Sequence, residues 1–584
     1  MQRTEKDARG NVAQLQTFGL AWILTLAERY NMKTEHKRDA IHLFILILVA
    51  CVLGIYLIVS TVLISKDGVF YIERAQRLAS DPVGLVKEEF SPGFEFLIFA
   101  THEFVTLFTD NSSLFTWIYS AQSVTLLCRL FGLISLYFIG KMLVGSKRSF
   151  YAMLILILLP YPAKMTSDVL REWPHILFLS TGFLLLLCGS RCCKWWMFGL
   201  AGLVSGIGHI IRPEAAQLVI FGGMWLLYRL IRPECDLRRT GVGLALVALV
   251  IGFAIPFAPY AKARGRIIPE NLRLLISYLE TAESETNPEL KAESGYETYT
   301  ASGVPGLIAG AIGRLAGEIS ENLMYYFLPA LVVGVYARVH RRSAVSDIER
   351  VFISAFVLFN ITLMTLLYYG RQSMARRHCL PLVAFTIYYV PIGLEVAAQW
   401  LNTRLSSGRS LTDRNPQLWF VVLFVTGIGL CMPKLFRPAR ADKPGYWDAI
   451  KWLKNNTDAK DVIAVSDKRF SFYAEREGEV YIREFPERAK YLVRIVRREN
   501  EELDIGRPVE RVFSVWENEK TKAKRIVIWK VLQPVTAAIR PQRQLIAEQH
   551  RSVSKLRPYS EKITRTVCAR TQRFSNKDRL WMYR

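Results

Sequence analysis

The chain has 584 residues, 51% of them apolar, and 75 lysines and arginines against 51 acidic residues, a net charge of +24. That apolar share over such a length excludes a soluble enzyme with ordinary cores and indicates a polytopic α-helical membrane protein. The positive charge does not indicate nucleic acid, because no zinc-finger, basic-zipper or aromatic-and-basic RNA-binding pattern occurs and much of it lies in short loops between apolar runs.

Residues 1–40 carry Arg3, Lys6, Arg9, Arg29, Lys33, Lys37 and Arg38 ahead of the first apolar run, so they are expected to be a cytoplasmic arm. Leu15, Phe18, Trp22 and Leu26 there have the spacing of an interfacial helix, with a poorly ordered arm as the alternative. No cleavage site follows Ile41–Ile64, which reads as a permanent first span. An outer loop over 66–112 then holds a stretch, Phe96–Phe108, broken by Glu95, His102 and Glu103, that is too short to cross a bilayer. It reads as a helix lying along the outer surface, with a shallow re-entrant segment as the alternative.

Further spans are expected near 113–139, from Tyr151 to a stop at Pro160-Tyr161-Pro162, and through 176–187. The apolar stretch Trp195–Leu230 is interrupted by Arg212-Pro213-Glu214. A mid-bilayer charge costs about 2.5–3.5 kcal/mol and proline lacks a donor, so two spans with a break between them are cheaper than one. Spans near 241–260, 321–338, 351–369, 380–400 and 417–433 complete a count of about eleven. The membrane domain is thus 41–433, with a second outer loop over 261–320. Residues 434–532 alternate helix and strand signals and read as an extracytoplasmic α/β domain. Helical spacing covers Tyr446–Asn455, strands are expected at Asp461–Ser466 and Glu479–Ile482, and a hairpin joins Val509–Trp516 to Lys524–Val531. The basic tail 533–584 has no periodicity.

The nine cysteines lack C-x-x-C spacing, and Cys192-Cys193 lie beside Arg191 and Lys194 in an inner loop, so neither a disulfide framework nor a metal site is expected. Cys568 stands alone in the outer domain. A divalent cation is permitted but not indicated, and His102, His175, His209 and His378 have no ligand spacing.

Four charged clusters fall on the outer face of this topology: Lys66/Asp67, Asp168/Arg171/Glu172, Arg212/Glu214, and Arg371, Arg376, Arg377 and His378. The last breaks the charge bias that the other loops obey, so an anion should justify it. Arginine grips phosphate bidentately and keeps its charge in a low dielectric, so a lipid phosphate fits, with headgroup anchoring as the alternative.

Taken together, Asp67-Gly68-Val69-Phe70-Tyr71 after the first span, Ser91-Pro92-Gly93-Phe94, Arg171-Glu172-Trp173-Pro174, Arg212-Pro213-Glu214, Arg377-His378-Cys379-Leu380-Pro381 and the outer domain from Tyr446-Trp447-Asp448 resemble one group. This is the GT-C glycosyltransferases that use polyprenyl-phosphate sugars, of the protein O-mannosyltransferase and lipid A aminoarabinose transferase type. That group often has a paired Asp-Glu at the first position, whereas Gly68 follows Asp67 here.

The resemblance implies an inverting transfer from a polyprenyl-phosphate sugar to an acceptor hydroxyl, on a protein, lipid or polysaccharide, and the absence of a retention signal favours the periplasmic face of a bacterial inner membrane over the endoplasmic reticulum lumen. One displacement needs one base, a role for Asp67, and cations on the departing phosphate, a role for Arg371, Arg376 or Arg377 with Lys66. Asp168, Arg171, Glu172, Arg212, Glu214 and His378 are candidates for acceptor or sugar contact. The alternative for the acids is simple pairing with Arg171 or Arg212. Two other classes remain open, a transporter or flippase and a non-catalytic scaffold for envelope assembly. The former would place ionisable residues deep in its spans.

Overall fold

The computed structural model describes residues 35–109, 113–231, 239–265, 304–340, 347–371, 374–405, 415–481, 485–497 and 507–532. Residues 1–34, the polar run 280–300, the tail with Cys568 and the side chain of Arg371 lie outside the described residues. The chain forms two compact units, divided between Ala441 and Asp442.

The first unit is helical. Helix α1 (Glu35–Ser60) carries Ile41, Phe44, Leu48, Val52, Ile55 and Val59 on one exposed stripe and Leu46, Ala50, Leu53 and Leu57 on its buried face. An exposed face that is itself apolar suits contact with lipid rather than water. Next come the short helices α2 (Lys66–Arg77) and α3 (Pro82–Lys87), then α4 (Gly93–Thr106). At 14 residues α4 is too short to cross, and it buries Phe94, Glu95, Ile98 and His102 on one face.

The bundle continues through α5 (Leu114–Val144), α6 (Ser146–Leu158), α7 (Pro160–Lys164), α8 (Glu172–Cys192), α9 (Trp195–Ile211), α10 (Gln217–Ile231) and α11 (Arg239–Arg264). After these come α12 (Val304–Asn322), α13 (Phe327–His340), α14 (Asp347–Arg371), α15 (Leu380–Thr386), α16 (Tyr389–Leu405) and α17 (Pro416–Phe436). The sequence breaks appear as read: α6 stops ahead of Pro160, and α9 and α10 are separated by a 3₁₀ turn over Pro213–Ala216.

Among the described residues seven helices are long and apolar enough to cross a bilayer, or nine if each of two bent pairs is one span. The expected count of about eleven is reached only by adding α6 and α9, which have 13 and 17 residues. The expected straight span over 321–338 is instead a bend of 110° between α12 and α13. Met324 and Tyr325 take left-handed φ values of 55° and 59°, and the Tyr325 N–H closes on the Ser320 carbonyl at 2.7 Å, which ends α12.

Two helix pairs approach closely because glycine lets their backbones touch. On α9 a Cβ at Gly202 would meet the Phe253 nitrogen of α11 at 2.9 Å, and on α16 a Cβ at Gly393 would meet the Ala330 Cα of α13 at 2.9 Å. The centre is aromatic: Phe183 of α8 lies 5.0 Å from Phe385 of α15, which stacks on Phe356 of α14 at 4.4 Å. Polar ties close the end where α1 begins. Asp39 accepts from Tyr137 at 2.7 Å and Ser146 at 2.8 Å, and Arg338 donates to Glu349 at 2.8 Å and to the Leu143 carbonyl at 2.7 Å.

The second unit holds α18 (Gly445–Asn456), β1 (Val462–Val465), α19 (Arg469–Ala474), β2 (Glu477–Val480), β3 (Ala489–Val496), β4 (Val509–Trp516) and β5 (Arg525–Val531). The sheet order is β2-β1-β3-β5-β4, with β1 parallel to β2 and β3, and β5 antiparallel to β3 and β4. The β4–β5 hairpin is the one read from sequence. Strand β2 starts two residues earlier than expected, and β3, which the sequence reading passed over, is central. Its residues Leu492, Val493 and Val496 are buried, and its alternation is masked by Lys490 and Arg494.

Candidate active site at one end of the bundle

The far end of α1 leads into α2 through Ser65, whose side chain accepts the Gly68 N–H at 2.8 Å as an N-cap. The Ser65 hydroxyl also donates to the Asp168 carbonyl at 2.8 Å, so one side chain starts α2 and anchors the α7–α8 loop. Asp67 sits in the first turn of α2, where the helix dipole favours a carboxylate. Its partner is Arg377, 310 residues later, with which it forms an ion pair; the two side chains are 18% and 27% exposed. Arg377 belongs to a 3₁₀ turn over Arg376–Cys379 whose start is closed by the Ala375 N–H donating to His378 Nδ1 at 3.4 Å. Lys66 is exposed at the head of α2.

Gly68 has a spatial reason. A Cβ there would meet the Asp168 carbonyl oxygen at 2.6 Å and Val169 Cβ at 3.0 Å, so a glutamate at this position has no room. The loop it faces is held from several sides. Asp168 is ion-paired with Arg440, which also donates to the Leu63 carbonyl at 2.7 Å. From α5, Gln122 donates to the Ser167 carbonyl at 2.8 Å and Thr125 to the Thr166 carbonyl at 2.5 Å. One turn further, Arg129 donates to the Ile157 carbonyl at 2.8 Å and contacts the Thr166 hydroxyl at 3.4 Å. Val169, β-branched and fully buried, takes φ = 56°, a strained conformation that persists only where neighbours impose it.

Behind α2 lies a buried charged group. Arg212 pairs with Glu172 at 3.6 Å and Glu214 at 3.1 Å, and among the described residues Oε2 of both glutamates and His175 Nδ1 have no hydrogen-bond partner. Arg171 lies 5.8 Å over the Tyr71 ring. Burial works against the Arg171 cation, but Tyr71, Glu214, Glu172 and Glu95 together raise its pKa above the ordinary arginine value. Arg74 of α2 pairs with Glu95 of α4 at 2.7 Å, both buried, and with Glu88.

Arg376 faces away from Asp67. It pairs with Glu321 at 3.1 Å and Glu318 at 3.8 Å and lies 4.3 Å over the Tyr161 ring, which Lys434 also approaches at 4.2 Å. The arginines read together in the sequence therefore point to two places. Arg440, Ser65, Gln122, Thr125, Arg129 and Tyr161 were not singled out by sequence. Arg440 had a signal, because Lys434, Arg437 and Arg440 repeat after the last span the same outer-face excess of positive charge that drew attention to Arg376 and Arg377. Among the described residues no group of three or more His, Cys, Asp or Glu is arranged to hold a metal.

In fold, the chain is similar to a solved membrane oligosaccharyltransferase. The crystal structure of the Archaeoglobus fulgidus oligosaccharyltransferase, in complex with zinc and sulfate, aligns at a TM-score of 0.50 and 12% identity over 77% of this chain and 67% of that one. ArnT from Cupriavidus metallidurans, bound to undecaprenyl phosphate, aligns at 0.47 and 13% identity, over 83% of this chain and 97% of that one. AglB from Archaeoglobus fulgidus, in complex with an inhibitory peptide and a dolichol-phosphate, aligns at 0.48 and 10% identity, over 77% and 69%. No protein-family model and no curated sequence matches the chain.

Proposed function

We propose that this protein transfers a sugar from a polyprenyl-phosphate donor to an acceptor hydroxyl at the extracytoplasmic face of a membrane, with inversion. What supports this reading is the Asp67–Arg377 ion pair, which joins the N-terminus of α2 to a turn 310 residues away and sets a carboxylate and a guanidinium at one point of a GT-C fold. In the reaction the acceptor oxygen attacks the anomeric carbon and its proton passes to Asp67. The bond from that carbon to the phosphate oxygen breaks, and the electron pair leaves on the lipid phosphate, where arginine stabilises it. Asp67 can take the proton only after Arg377 yields one of its oxygens, and an incoming phosphate, by drawing on Arg377, frees that oxygen.

Asp67→Asn keeps shape and removes the base, so turnover of a labelled polyprenyl-phosphate sugar should fall about 100- to 10,000-fold with normal expression. Arg377→Ala should weaken the donor's apparent affinity more than the acceptor's. Unchanged turnover in Asp67→Asn would rule out Asp67 as the base.

A further inference from the structure

We propose that Arg440 is a positioning residue for the proposed base: it ties the start of α2 to the α7–α8 loop and so sets where Asp67 sits, without itself touching substrate. The inference rests on the transferase reading for its effect on turnover, though not for the geometry. On that reading Asp67 gives up an Arg377 contact as the phosphate arrives, so its place at the moment of proton transfer has to be fixed by the backbone beneath it. A misplacement of about 1 Å at such a group can cost about 100-fold in rate.

That backbone is the link 61–65 between α1 and α2, and it is tied down from far along the chain. The Val62 N–H donates to the Ala439 carbonyl at 3.2 Å, and Arg440 Nη1 donates to the Leu63 carbonyl at 2.7 Å, a contact between residues 377 apart in sequence. The same nitrogen is ion-paired with the Asp168 carboxylate. Asp168 returns the connection through its own carbonyl, which accepts the Ser65 hydroxyl at 2.8 Å, and Ser65 in turn accepts the Gly68 N–H at 2.8 Å. Leu63, Arg440, Asp168 and Ser65 therefore close a ring, and Asp67 follows in the first turn of the helix that the ring starts.

Two features separate this ring from an ordinary ion pair at a surface, which contributes little. One guanidinium nitrogen serves a backbone carbonyl and a carboxylate at once, and the Arg440 and Asp168 side chains are only 21% and 17% exposed. Arg440 also takes a left-handed φ of 58°, costly for a residue with a Cβ and kept only where neighbours impose it. Val169, next to Asp168, is held in the same region at 56°. Strained backbone thus lies at or beside both partners, a pattern that points to geometry rather than stability as the use of the pair.

The test compares Arg440→Gln, Arg440→Lys and Lys443→Gln in the full chain in nanodiscs. Lys443 is the control, because its ion pair with Glu517 at 2.9 Å is similarly exposed, at 26% and 13%, and makes no contact with the link. Hydrogen–deuterium exchange over residues 62–72 reads the geometry, since Ser65 closes the Gly68 and Val69 amides. Arg440→Gln should speed exchange of these amides about tenfold or more. Asp168→Asn should open the same amides, and the double variant Arg440→Gln/Asp168→Asn no further. Turnover of a labelled polyprenyl-phosphate sugar reads the consequence. In Arg440→Gln kcat should fall about 10- to 100-fold with the donor KM changed less than about threefold. Arg440→Lys, which keeps donors for both oxygens, should recover most of the exchange protection and of kcat, and Lys443→Gln should match wild type in both. Unaltered exchange in Arg440→Gln, or equal losses in Arg440→Gln and Lys443→Gln, would overturn the proposal. A wild type that transfers no sugar would overturn the transferase reading and leave exchange to decide the ring, so the two failures give different results.

Discussion

Arg74 and Glu95 are the plainest case of a residue whose partner matters more than its own charge. Both are buried and lie 2.7 Å apart. Arg74→Met would leave Glu95 with an uncompensated carboxylate in the packed base of α2, at a cost of about 3–5 kcal/mol. Thermal unfolding in detergent should show that loss, with Glu95→Gln in the same background restoring part of it.

At the scale of elements, the site depends on how closely helices approach. Gly202 on α9 faces the α11 backbone, so Gly202→Leu should force the pair apart and cost about 1–3 kcal/mol. Gly223→Ala on α10, where a Cβ meets nothing within 4 Å, should leave the melting temperature unchanged or slightly raised. Equal effects of the two would mean that close backbone contact does not hold α9 to α11. The α7–α8 loop shows the other means of precision. The Gln122, Thr125 and Arg129 stripe of α5 grips it, Ser65 caps one neighbour through it, and the strain at Val169 is tolerated because these contacts leave no alternative.

At the scale of the molecule, the topology proposed from charge bias puts the α2–α3 turn outside and the α5–α6 turn inside. In cells carrying Cys192→Ser and Cys568→Ser, a cysteine at Asp81 should react with a membrane-impermeant maleimide, and one at Lys147 only after permeabilisation. Both positions are exposed, so a failure to react would reflect sidedness rather than burial. Labelling at Lys147 from outside, with Asp81 reacting only after permeabilisation, would reverse the topology and with it the extracytoplasmic reading.

Read from sequence alone, apolar run lengths and loop charges determined the helical membrane class, the breaks at Pro160 and at Arg212-Pro213-Glu214, and the mixed helix–strand signals after the last span. These follow from local physics, the length of helix a bilayer needs and the cost of placing charge within it. The tertiary structure alone decided which charges meet. It paired Asp67 with Arg377 and Asp168 with Arg440, and it turned Arg376 away from its neighbour toward Tyr161. It also gave Gly68 its reason in the approach of Asp168. Contacts between residues hundreds of positions apart are set by packing, and no local pattern in the chain encodes them.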